Sequence, residues 1–85
     1  MDQLHSLRNV GPASAAWLAA VGVGSLADLR RIGSVAAYAR VRRVRPQASR
    51  NLLWALEGAL RNCDWRDLSN EDKAQLEREL GRLIA

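Results

Sequence analysis

Between Leu29 and Leu56 the chain carries seven arginines and no acid. They are Arg30, Arg31, Arg40, Arg42, Arg43, Arg45 and Arg50, and four of them crowd into "RVRRVRP". A guanidinium is a planar fork of donors that matches a phosphate or a carboxylate in two hydrogen bonds at once. The chemistry this stretch offers is therefore anion binding. Nucleic-acid phosphate would be held weakly, in a salt-sensitive way and with little sequence preference. An acidic protein partner would use the same patch. Arginine facing solvent, or complementing the negative end of a helix, is the plainer reading. A GC-rich coding sequence would enrich arginine equally. Tyr38 is the one aromatic interleaved with these residues, so stacking of single-stranded bases has little support in the order of residues.

A second constellation is the turn Asn9-Val10-Gly11-Pro12. Glycine hairpins ahead of a helix can present backbone N–H groups to a phosphate. Here Pro12 has no N–H, and Ala13 stands where a basic residue would help. The turn is expected to act first as a joint, with Gly11→Val harming the fold more than any nucleic-acid contact.

A third concerns Trp54. It falls on the opposite side of its helix from the leucines, beside Gly58 and Arg61. A large aromatic on a polar face needs a cover. Either another segment packs over it, or Trp54, Gly58 and Arg61 form a surface for a partner or a second copy of the chain.

His5 and Cys63 are the remaining reactive types. Two ligands are too few for a metal site, and Cys63 lies on an apolar stripe without a base to activate it. Glu71, Asp72, Glu77 and Glu79 read as a solvated helix face. Phosphate-binding loops, dinucleotide fingerprints and hydrolase elbows are absent, so neither an enzyme, a cofactor nor a small-molecule substrate is expected.

The elements that must position these residues are helical. Ala and Leu dominate and Phe is absent, a mix that favours helix over strand. A short helical turn is expected over residues 3–8. A helix follows from Pro12, a residue suited to the first helical position, to about Val21, with Trp17, Leu18 and Val21 inward and Gly22 as its stop. Ser25 caps Leu26–Arg31. Ser34 caps a helix from Val35 to about Val44, with Ala37, Val41 and Val44 inward. Residues 47–63 carry the strongest pattern, because Leu52, Leu53, Leu56, Ala59, Leu60 and Cys63 share a stripe about 120° wide. Ser69 and Asp72 form a capping box ahead of a last helix, whose inward residues are Leu76, Leu80, Leu83 and Ile84. The reading is an all-α fold, a compact bundle of five or six short helices with a helix-hairpin-helix-like unit.

Eighty-five residues make one domain, 1–85, with a modest core. The net charge of +4 is uneven. Ten arginines against four acids up to Arg66 give way to three bases against five acids beyond it. One cysteine suits a reducing compartment. No signal peptide or membrane span is visible, so a cytoplasmic location is expected.

The stretch "LRNVGPASAAWLAAVGVGSLADLRRIGSVAAY", followed by "NLLWALEGAL" and "DWRDLS", resembles the TfoX C-terminal domain of TfoX/Sxy competence regulators. The resemblance runs from about Leu7 to Leu60. It implies an all-helical, non-enzymatic domain linked to control of DNA uptake, here as a stand-alone domain.

Overall fold

The computed structural model describes residues 10–84, with the side chain of Ile84 left aside. The short turn expected at residues 3–8, His5 and Asn9 lie outside the described residues, and with them the first half of the hairpin unit. Among the described residues five helices follow in order: α1 (Pro12–Ala20), α2 (Leu26–Ile32), α3 (Ser34–Val44), α4 (Arg50–Arg61) and α5 (Asn70–Ile84), with one 3-10 turn at Trp65–Asp67. The all-α reading holds.

Each junction has a local cause. Pro12 opens α1, and Gly11 ahead of it is extended at φ −83°, ψ 171°. Any residue adopts that conformation, and among the described residues nothing lies within 4 Å of the position a Cβ would take. A Cβ at Gly11 thus meets no backbone strain and no clash among the described residues. Gly22 is different, with φ +89°. The Val23 N–H donates to the Leu18 carbonyl and the Gly22 N–H to the Ala19 carbonyl, a pair of bonds that closes α1 through a left-handed residue. At α2, the Ser25 hydroxyl accepts from the Asp28 N–H at 3.1 Å. Asp28 in turn accepts from the Gly24 N–H at 3.1 Å.

Ser34 does not cap α3. Gly33, at φ +91°, ψ 154°, makes that turn. The Ser34 hydroxyl is buried and donates instead to Glu57 Oε1 of α4 at 2.7 Å. Helix α4 begins three residues later than its apolar pattern suggests. Residues 46–47 form a turn, closed by the Ala48 N–H donating to the Arg45 carbonyl. Asn62 ends α4 in the left-handed region at φ 55°, and the Cys63 N–H closes onto the Gly58 carbonyl at 2.9 Å. Ser69 and Asp72 form the expected reciprocal box: the Asp72 N–H donates to Ser69 Oγ at 3.0 Å, and the Ser69 N–H to Asp72 Oδ2 at 3.1 Å.

Helix α3 is the hub, packed against α1, α2, α4 and α5. It buries Val35, Ala37, Tyr38, Ala39 and Val41. Opposite, α4 buries five consecutive residues from Leu52 to Leu56. A run that long leaves no solvent face in the middle of the helix, because α2 and α3 cover one side and the 3-10 turn another. Burying an aliphatic side chain such as Leu53 or Leu56 contributes about 1.5–3 kcal/mol. Two stripes end earlier than expected. Val44 is 61% exposed and Leu83 53%, since each lies near the end of its helix, past the neighbours that cover the residues one turn before.

Candidate functional site

Trp54 is 8% exposed. The Lys73 ammonium of α5 lies 5.7 Å from the centroid of its ring and 5.9 Å from that of Trp65. Gly58 is buried as well. Arg61 is exposed but tied down, with Nε 2.7 Å from Glu57 Oε2 and a terminal nitrogen 3.2 Å from Asp72 Oδ2. Of the two alternatives for Trp54, the structure shows the cover, with Trp54 and Gly58 both buried, and beside them Ser34 on α3, Glu57 and Arg61 on α4, and Asp72 on α5 form one polar chain. The Glu57 hydrogen bond, then its charge, raises the Arg61 pKa further.

The seven arginines divide by what they touch. Arg31 pairs with Asp28 at 3.0 Å, and Arg50 with Glu77 at 2.8 Å. Arg50 also donates to the Tyr38 hydroxyl at 3.2 Å, as does Arg42. Both guanidiniums lie near the face of that ring, 5.7 and 5.9 Å from its centroid. Tyr38 is fully buried, and its own hydroxyl donates to the Ala48 carbonyl at 2.8 Å. Arg42 and Arg50 therefore fasten α3 and α4 around Tyr38. The bond to Glu77, then that to Tyr38, raises the Arg50 pKa.

Arg40 donates to the Val21 carbonyl at 3.2 Å. Arg45 lies 5.3 Å from the ring centroid of Trp17 on α1. This pairing of a cation with an aromatic face was hidden in the sequence, where the two residues are far apart. Five of the seven, Arg30, Arg40, Arg42, Arg43 and Arg45, form no ion pair among the described residues. Arg40, Arg42 and Arg43 border a hollow of about 500 Å³ between α3 and α5, with Ala36, Ala39, Leu80 and Leu83 as its apolar part. The cationic side of the hollow has the chemistry to meet an anion. At the hairpin, Val10 is buried and Gly11 and Pro12 are exposed. Among the described residues, no three His, Cys, Asp or Glu side chains gather as metal ligands. No described helix is long and apolar enough to cross a membrane.

The fold and this surface define a small all-helical domain with an arginine face. The sequence matches the TfoX C-terminal domain over residues 1–80, and the chain belongs to that family. Two crystal structures from Listeria monocytogenes share the fold. One, an uncharacterized protein in a triclinic form, is 28% identical, with a TM-score of 0.85 over 94% of this chain and 91% of that one. The other, a protein of unknown function in a tetragonal form, is also 28% identical, with a TM-score of 0.84 over 94% of this chain and 99% of that one. No curated protein matches the chain.

Proposed function

We propose that the chain is a non-catalytic binding module of bacterial competence and DNA-transformation regulation. In this reading it works in the cytoplasm and contacts nucleic-acid phosphate weakly through its arginine face. The observation that carries the reading is the set of five arginines, four on α2 and α3 and Arg45 just after α3, without an ion pair among the described residues. Cations whose charge is not already answered by carboxylates are the ones that release counterions on meeting a phosphate backbone. Family membership supports the link to DNA uptake.

The test is binding to a labelled duplex across a salt series. The affinity falls steeply with salt, each phosphate contact adding a little under one unit to the slope of log K against log salt. Arg40→Glu/Arg43→Glu abolishes it. Arg42 is left in place, because its guanidinium serves Tyr38. Absence of duplex binding at low salt, with the fold intact, overturns the reading.

A second reading is a protein-interaction module. It is favoured by Leu83, 53% exposed at the wall of the same cationic hollow. An acidic segment with apolar residues on one side suits that hollow. Its signature is capture of an acidic protein, lost with Leu83→Asp, by a domain that ignores duplex DNA.

A further inference from the structure

A second cleft, of about 480 Å³, opens where α1, the turn before α4, the first turns of α4 and the 3-10 turn meet. Two indoles, Trp17 and Trp65, wall it, and both are partly open to solvent. Gln47, Ser49 and Asn51 stand at its exposed rim, over buried Ala48, Leu52 and Ala55. Among the described residues the side chains of Gln47, Ser49 and Asn51 make no hydrogen bond, Ser49 included although it precedes α4. The Arg45 guanidinium lies 5.3 Å from the ring centroid of Trp17.

These groups make one kind of site. Indole faces stack on planar heteroaromatic rings. Side-chain amides offer a donor and an acceptor together, the pattern found on the edge of a base. The Arg45 guanidinium lies over one face of Trp17, which leaves the other face for a base and places a cation near an attached phosphate. A duplex keeps its base faces stacked against one another, so only an unpaired base is free to stack on an indole of this cleft.

We propose that this cleft binds an unpaired base of single-stranded nucleic acid, with Arg45 meeting the adjoining phosphate. The proposal rests on the reading that the arginine face meets nucleic acid, and it sharpens that reading from phosphate in general to single strands. Arg45 links the two surfaces: it directly follows the arginine run of α3, and its guanidinium lies over the ring of Trp17, which lines the cleft. A strand seated with one base in the cleft leaves its backbone running toward α3.

The experiment uses the full 85-residue chain, a short labelled oligothymidylate and a duplex of matched length, at low and physiological salt. The variant is Gln47→Glu/Asn51→Asp, nearly isosteric and at exposed positions. Helix α4 has no acid in its first turn, so a carboxylate at position 51 favours the helix and the variant folds. The single strand binds about fivefold or more tightly than the duplex, and the variant removes that preference. Photocrosslinks from bromodeoxyuridine in the strand map to Trp17 or Trp65. If single strand and duplex bind alike and crosslinks fall elsewhere, the cleft proposal fails while the arginine reading stands. If neither binds at low salt, both fail.

Discussion

The Tyr38 hydroxyl donates to the Ala48 carbonyl at 2.8 Å and so fastens the middle of α3 to the turn that launches α4. The same oxygen accepts from Arg42 and Arg50, and the ring beneath it has no solvent exposure. Tyr38→Phe keeps the packed volume and deletes only the oxygen. The Ala48 carbonyl then loses its side-chain donor and both guanidiniums lose an acceptor. The expected loss is about 1–3 kcal/mol. It is read as a lower urea midpoint with an unchanged slope.

The polar seam gives an ordered pair of effects. Ser34→Ala removes a buried hydroxyl that donates to the Glu57 carboxylate, a charge-assisted bond whose loss costs about 1.5–3 kcal/mol. Arg61→Ala removes two ion pairs, but at an exposed position, where such pairs contribute about 0–1 kcal/mol each. Chemical denaturation of the two variants ranks Ser34→Ala as the more damaging. The reverse ranking means that the arginine, and not the serine, holds the seam.

The glycines separate by backbone. Gly33, at φ +91°, ψ 154°, sits in a region that is nearly glycine's alone, and Gly33→Ala costs about 1–3 kcal/mol. Gly11, at φ −83°, ψ 171°, carries no such demand, and Gly11→Ala changes stability by less than about 0.5 kcal/mol. Thermal melts of the two single variants decide this directly.

Stability falls in acid through two half-buried carboxylates. The backbone N–H and then the hydroxyl of Ser69, followed by Arg61, hold Asp72 below the ordinary 3.8. Arg31, then the Gly24 N–H, does the same for Asp28. A depressed folded-state pKa means the carboxylate's contribution is complete above the unfolded value, near pH 4, and is lost as pH falls through the folded value. Melting temperature therefore holds from neutral pH to about 5 and drops below about 4. Asp28→Asn/Asp72→Asn melts lower at neutral pH and shows a shallower acid decline.

Local chemistry was readable along the chain, and long-range chemistry was not. Ser25 with Asp28 and Ser69 with Asp72 are partners three residues apart, so the spacing alone reveals their caps. Ser34 looked like another cap because it follows a glycine and precedes an apolar period. Its hydroxyl instead finds a carboxylate 23 residues away, which no local pattern encodes. The seven arginines were visible as a run. Their division into ring-bound, ion-paired and unpaired members depends on Tyr38, Glu77 and Trp17, which tertiary packing brings up. The stripe logic also overran at Val44 and Leu83, because periodicity tells which way a residue faces and not whether a neighbouring element extends that far. Trp17 and Trp65 line a common cleft only because the fold brings α1 and the 3-10 turn to opposite margins of one hollow at the start of α4.

Lys73 is the chain's only lysine, and its ammonium lies over two of the three tryptophans. Amine-directed chemistry on a side chain thus has a single address, and it is a clasp between the last helix and the indoles. Acetylation, a succinimidyl dye or amine coupling to a sensor surface neutralises that charge and alters the emission of the rings beneath it. An assay of this domain is better built through an engineered terminal tag than through its lysine. The same solitary amine, left unmodified, makes tryptophan emission a built-in gauge of whether the last helix is seated.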